Sequence, residues 1–353
     1  MTRRTSRAAL TVLGTVSAAG LAAAVWGVGI ERHLYTLRLA TAYALPEGST
    51  PLRVLHISDA HMAPWQKRRQ QWLASLAQLK PDLLPEGSTP LRVLHISDAH
   101  MAPWQKRRQQ WLASLAQLKP DLVINTGDNL GHRHGLDGIR RAFAPFAGVP
   151  GAFVHGSNDK YAPSPRNPFR YFLGPSTTNH EPDLLDTDAL DDFLMSELGW
   201  ARLDNEAASL QVAGKRIDVV GVDDAHREWD DIDAVTEELA ALRADASANT
   251  PLLAVTHAPY QRVLNSFVDL GADMIFGGHT HGGQVCLPGY GTIVANCDIP
   301  RRQARGLSTW EHAGRRIPLH VSAGCGHSIY APVRFACRPE ATLLTLMPAA
   351  SGN

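Results

Sequence analysis

The sequence has no excess of charge of either sign: Lys and Arg total 34, Asp and Glu total 34, and the pI is near 7.3. Without a basic field there is little to neutralise a phosphate backbone, so nucleic acid is not an expected partner. Cysteine is scarce. The four (Cys286, Cys297, Cys325 and Cys337) all fall in the last quarter and none has C-x-x-C spacing, which argues against a zinc ribbon. Their even number permits disulfides outside the cytoplasm. Cys286 and Cys297 flank Pro288-Gly289-Tyr290-Gly291 and are the expected pair, although sequence alone leaves the pairing open.

Long uncharged runs are also rare. The one that stands out extends from Ala8 to Ile30 behind Arg3, Arg4 and Arg7. It is long enough to span a bilayer, which takes about 20 residues, and the arginines favour a cytoplasmic N-terminus. Residues 1–30 are therefore expected to form a transmembrane signal anchor. The protein would be a single-pass protein of the cell membrane, with the remainder of the chain extracytoplasmic. The alternatives are secretion after cleavage near Ser17–Ala24, or a buried soluble helix.

Residues 45–83 recur without a change as residues 84–122, an offset of 84 − 45 = 39. Solenoid repeats diverge and stack in threes or more, so two identical copies read as a duplication. Each copy carries an apolar strand, then Ser-Asp-Ala-His, then an amphipathic helix. One strand position takes one copy, leaving the other as an insertion without a designated slot. We assign the site to the second copy. It runs directly into the apolar strand Leu122–Asn125, and extra residues are tolerated more easily outside a strand–helix–strand unit than within it. This gives residues 31–83 as a linker strand plus the extra copy, and residues 84–353 as the main domain.

What is abundant is histidine, 16 in all, and much of it follows apolar strands. Five strand ends carry Asp98-Ala99-His100, Gly127-Asp128-Asn129, Asn158-Asp159, His257, and His279-Thr280-His281. The last lies within Gly277-Gly278-His279-Thr280-His281-Gly282-Gly283-Gln284, where i and i+2 side chains of an extended segment would face one point. Strand ends are where α/β proteins assemble their sites. Carboxylates, an amide and several imidazoles in this order could serve two adjacent metals.

That order resembles the calcineurin-like metallophosphoesterases, in particular short bacterial membrane-anchored members, over about Leu91 to Gln284. The resemblance implies an α/β fold of two packed mixed β-sheets flanked by helices, in four αββα layers. It implies that Asp98, His100 and His281 hold one metal and that Asn158, His257 and His279 hold a second, with Asp128 bridging. The first copy offers Asp59 and His61 as the alternative to Asp98 and His100. Two divalent ions (manganese, iron or zinc) would be the cofactors. The implied reaction is attack of a metal-bound hydroxide on a phosphodiester, phosphomonoester or pyrophosphate.

Asp128, Asn158 and Asp159 are the expected catalytic residues. Asp159 stands where the family often has His, and an Asp beside two cations is a poor general acid. His132, His134, His155, His226 and His327 are candidates for the missing acid. The implied substrate is a small phosphate ester or, given the anchor, a lipid-linked nucleotide, with the N-terminal helix contacting the membrane. Oligomeric state is not legible. The competing readings are a non-catalytic metal-binding envelope protein and a protein phosphatase.

Overall fold

Continuous apolar runs such as Leu122–Asn125 and Leu252–Thr256 cannot expose either face to water, so each needs a layer on both sides. The computed structural model describes residues 15, 17–18, 20–34, 36–45, 52–57, 91–162, 183–212, 214–244, 247, 250–323, 333–338 and 340–348. Strands β1 (Thr36–Leu45), β2 (Leu52–Ile57), β3 (Leu91–Ile96), β4 (Leu122–Asn125), β5 (Gly151–Phe153) and β6 (Ala201–Arg202) join β15 (Glu340–Pro348) in a seven-stranded sheet ordered β1-β15-β2-β3-β4-β5-β6. Strands β7 (Glu206–Val212), β8 (Lys215–Gly221), β9 (Leu252–Thr256), β10 (Met274–Gly277), β13 (Gly306–His312) and β14 (Arg315–Val321) form a six-stranded sheet ordered β13-β14-β10-β9-β8-β7. Both sheets are mixed. The short strands β11 (Cys286–Leu287) and β12 (Gly291–Thr292) make a separate hairpin.

Side-chain alternation builds the layers. In β4, Leu122 and Ile124 face the second sheet, where they meet Leu253 and Val255 of β9 and Met274 and Phe276 of β10. Val123, between them, points the other way. It packs with Trp111 and Leu112 of helix α1 (Lys106–Ser114) and with Phe143 of helix α2 (Leu136–Phe143). On the far side of the second sheet, Leu252, Ala254 and Ile275 pack with Val235 and Leu239 of one helix and Val263 and Phe267 of another. Each fully buried Leu, Val or Phe contributes about 1.5–3 kcal/mol over exposure, which makes these three contiguous clusters the main source of stability.

The remaining helices follow local signals. Ser157–Lys160 is the short turn α3, and α4 (Thr187–Asp191) is capped by Asp186, which accepts from the Ala189 amide at 3.0 Å. Helix α4 runs on into the π-turn Asp192–Glu197. Helix α5 (Ile232–Arg243) is capped by Asp231 through the Ala234 amide at 3.0 Å, and α6 is Gln261–Asp269. Strands β7 and β8 are an antiparallel pair, with Glu206 opposite Gly221 and Val212 opposite Lys215.

The duplication is accommodated differently from expectation. The first copy's strand does have a place: β2 lies between β15 and β3, parallel to its own duplicate. Its register pairs Leu52 with Leu91 and His56 with His95, so that each residue meets its twin. On its other side β2 is antiparallel to β15, pairing Ile57 with Ala341. A strand edge offers unpaired N–H and C=O groups to any matching strand, and an identical strand matches in every position. Residues 58–90, with Asp59 and His61, lie outside the described residues, as does most of the Pro-rich stretch after α3.

At the N-terminus, helical residues 20–25 continue into the π-turn Trp26–Ile30. Leu21, Val25, Trp26, Val28 and Ile30 are exposed. Among the described residues no helix is long and apolar enough to cross a membrane. Much of the expected span lies outside them.

Candidate metal centre

The loops at the strand ends continue the sheet's hydrogen bonding for one step, and this fixes their carboxylates and imidazoles. Asp98 N–H donates to Gly127 O at 2.9 Å, His100 N–H to Asp128 O at 2.9 Å, and Met101 N–H to Asn129 O at 2.8 Å. In the second sheet Gly278 N–H donates to His257 O at 3.0 Å. Within this frame Asp98, His100, Asp128, His279 and His281 all adopt φ between 39° and 62°. Non-glycine residues in that region cost about 1–3 kcal/mol each where the conformation is strained, and they persist where the surroundings over-determine them.

The Gly-His-Thr-His segment is accordingly not extended. Thr280 is right-handed between two left-handed histidines, and the turn is closed by Gly283 N–H donating to Thr280 O at 2.7 Å. The two imidazoles therefore diverge. His281 stacks with His100 at a centroid distance of 6.1 Å, while His279 lies 5.1 Å from His257 and 4.8 Å from His226.

Two overlapping sets of donors result: Asp98, His100 and His281 in one, Asp98, Asp128 and His257 in the other, with donor atoms in each set within 4.8 Å of one another. Asp98 Oδ1 lies 3.7 Å from Nε2 of both His100 and His281. Asp128 Oδ2 lies 3.7 Å from His100 Nε2 and 3.5 Å from His257 Nε2. These gaps exceed hydrogen-bond length. Ligands on one ion with bonds of about 2.1 Å lie roughly 3.0–3.4 Å apart, so these four pairs are near the spacing that a shared cation needs. Asp98 Oδ1 and His257 Nε2 are buried and make no hydrogen bond. His257 Nδ1–H donates to the Thr126 carbonyl at 2.7 Å, which fixes the ring and leaves Nε2 as the ligand nitrogen. The donor set fits a divalent metal.

The electrostatics agree. Burial would raise Asp128, yet His257 and His100 hold it well below the usual carboxylate range. Burial would lower His257, yet Asp128 holds it well above. Asp98 is likewise held down against burial, chiefly by His281. Gly156 is required for this closeness, because a Cβ there would stand 2.2 Å from Asp128 Oδ1 and 2.8 Å from His257 Nε2.

Asn158 reaches Asp128 twice, donating its backbone N–H to Oδ1 at 2.9 Å and its side-chain amide to Oδ2 at 2.7 Å. Asp159 does not join the cluster. It is fully buried and accepts from Asn129 N–H at 2.6 Å, Leu130 N–H at 3.1 Å and Gly156 N–H at 3.1 Å. Burial pushes it up to about 6. Asp159, expected among the catalytic residues, thus has its oxygens engaged by backbone amides and lies outside both donor sets.

Of the five histidines considered as acids, His155 is clamped between Asp204 and Asp191, which raise it to about 10 against burial. His132 and His134 sit on the surface beside Trp104. His327 lies outside the described residues. His226 alone of the described four adjoins the donor cluster. Its N–H is held by Asp224 Oδ1 at 2.8 Å and its Nδ1 meets the Tyr260 hydroxyl at 2.9 Å. The supporting residues Tyr260 and Asn296, whose amide lies 3.1 Å from His279 Nε2, had no signal in the sequence, since neither sits at a strand end.

Comparison with known proteins follows the same residues. The family described as Calcineurin-like phosphoesterase matches residues 91–283. The uncharacterized metallophosphoesterase YkoQ of Bacillus subtilis (strain 168) is 25% identical over 150 residues, covering 42% of this chain. The chain spans only 50% of that curated relative's length. Among solved structures, the NAD nucleotidase NadN of Haemophilus influenzae superposes with a TM-score of 0.41 at 12% identity, covering 78% of this chain and 45% of that one. A hypothetical protein from Thermus thermophilus superposes with a TM-score of 0.33 at 19% identity, covering 70% of this chain and 75% of its own.

Proposed function

The chain belongs to the calcineurin-like phosphoesterase family, and on that premise we propose that it is a metal-dependent hydrolase of a small phosphate ester. Two divalent transition ions, of manganese, iron or zinc, would be its cofactors. The observation that carries the reading is the pair of overlapping donor sets sharing Asp98, with buried atoms that make no hydrogen bond within the protein. Asp98, His100 and His281 would hold one ion. Asp128 and His257 would hold the other, with His279 and Asn158 beside them. When bound, such a pair supplies charge neutralisation at the phosphoryl oxygens and a water acidic enough to attack at neutral pH.

The residues of the chain do the rest. Asn158 orients Asp128 through two hydrogen bonds, and Thr126 orients His257. Burial and the neighbouring His279 and His257 lower His226 to about 3, so its imidazole is neutral. In the tautomer in which the Tyr260 O–H donates to Nδ1, the His226 proton sits on Nε2. This imidazole is the group we assign to donate a hydrogen bond to a phosphoryl or leaving-group oxygen. Asp159 leaves the donor sets intact, which removes the main argument for a non-catalytic metal-binding protein.

We further propose that the N-terminal segment anchors the protein in the membrane with its domain outside the cytoplasm. The exposed apolar side chains from Leu21 to Ile30 support this reading, and it favours a phospholipid or lipid-linked nucleotide as substrate. The test is hydrolysis of a diester, a monoester and a pyrophosphate by the purified chain, before and after chelation. Turnover that is lost on chelation and regained with added Mn²⁺ supports the proposal. No turnover of any of the three, with metal bound, contradicts it.

A further inference from the structure

Two thiols from separate parts of the chain meet beneath the turn that carries His281. Cys286 Sγ donates to the Gly282 carbonyl at 3.5 Å, and Cys337 Sγ donates to the same oxygen at 3.3 Å. Cys337 Sγ also lies 3.8 Å from the His281 carbonyl. The two sulfurs thus converge on one carbonyl oxygen, which sets them beside each other.

Their backbones run side by side. Val285 and Phe335 form a parallel bridge, in which Cys286 N–H donates to Phe335 O at 2.8 Å and Phe335 N–H to Gln284 O at 2.9 Å. In that register Cys286 faces Ala336, and the left-handed backbone of Ala336 (φ 48°) turns the chain so that the next residue, Cys337, brings its sulfur to the same Gly282 oxygen as Cys286. Cys297, the partner expected from sequence, lies instead against the Ile299 backbone near Tyr260.

The segment carrying Cys337 also holds the N-terminal helix. Arg334 N–H donates to Gly27 O at 3.2 Å, Cys337 N–H donates to Glu31 Oε1 at 2.9 Å, and Trp26 Nε1–H reaches Glu31 Oε2 at 2.7 Å. We propose that Cys286 and Cys337 are joined by a disulfide that locks the His281 turn to the segment gripping the N-terminal helix. The two residues are 1% and 0% exposed, so an oxidant reaches them before the domain closes, and the bond forms during folding. One Cys sulfur attacks an acceptor disulfide such as glutathione disulfide, releasing one thiol. The second Cys sulfur then displaces the other. Two S–H bonds break, one S–S bond forms, and the acceptor takes both electrons and both protons as two thiols.

The test needs no catalytic activity, so its outcome is independent of the phosphoesterase reading. The full chain, refolded through a glutathione redox buffer in mild detergent, is blocked with N-ethylmaleimide and mapped by peptide mass spectrometry without reduction. The expected result is a cross-linked peptide pair containing Cys286 and Cys337. Recovery of both as alkylated peptides, or of Cys286 joined to Cys297, overturns the proposal. A second readout is thermal: reduction should lower the Tm of the wild type by about 5 °C or more. It should leave the Cys286→Ser/Cys337→Ser double variant unmoved. An equal drop in both proteins would assign the stabilisation to another bond and overturn the proposed lock.

Discussion

Asp159 and Asn129, thirty residues apart, are joined by a 2.6 Å hydrogen bond from the backbone N–H of Asn129 to the buried carboxylate of Asp159. The same carboxylate takes the amides of Leu130 and Gly156, so it ties the loop of Asp128 to the turn of Asn158. Asp159→Ala leaves three amides without their acceptor. It is expected to cost about 2–4 kcal/mol, read as a lower urea midpoint, with activity falling through loss of the fold near the site. Asp159→Asn keeps part of the hydrogen bonding and should retain measurable turnover. An Asp159→Asn variant that is fully stable yet inactive would return Asp159 to a direct role.

His226 is expected to matter in proportion to the help a leaving group needs. His226→Ala should leave metal content unchanged and scarcely slow the p-nitrophenyl diester. An alkyl ester should slow by on the order of 10²-fold. Tyr260→Phe should shift in the same direction by less. Equal slowing of both substrates would show that its hydrogen bond does not go to the leaving-group oxygen.

Removing residues 45–83 tests how the duplication is housed. Since β2 and β3 are identical in sequence, β3 can take over the antiparallel pairing that β2 makes with β15, with Ile96 opposite Ala341. The shortened protein should fold, bind metal and turn over at or above the full-length rate. A deletion variant that folds but binds no metal would show that the first copy supplies the site.

Stability should depend on pH through His155. Folding raises it from 6.5 to about 10 because Asp204 and Asp191 outweigh the cost of burial. A raised pKa means that the folded state holds the proton more tightly. This contribution is whole below pH 6.5 and is lost as the pH climbs through 10. The Tm should therefore decline across that window, and His155→Gln should be less stable at pH 6 but show a flatter decline. Identical slopes in wild type and variant would refute the assignment.

Much of this was legible in the sequence for a simple reason. In β4, β9 and β10 every residue is buried, so uninterrupted apolar runs mark the central strands, and the polar residue that ends each run marks the site. Asp98, His100, Asp128, His257 and His281 were readable in that way. Less visible were features set by partners distant in sequence. Strand β13 presents a polar, half-exposed edge with no apolar run. The left-handed backbone at His279 and His281 depends on the hydrogen bonds of Thr280 to Ala304 and Gly282. The role of Asp159 depended on amides thirty residues away, and the approach of Cys337 to Cys286 on a bridge that no local pattern announces.

The measurement that tests the account most directly is metal content by mass spectrometry on the wild type, Asp98→Ala and Asp128→Ala, each loaded with Mn²⁺ and desalted. The account predicts close to two ions per wild-type chain and at most one in either variant. Activity should fall by on the order of 10³-fold or more alongside, since two-ion charge neutralisation is worth several kcal/mol. Undiminished metal and activity in both variants would contradict a site built on these two carboxylates.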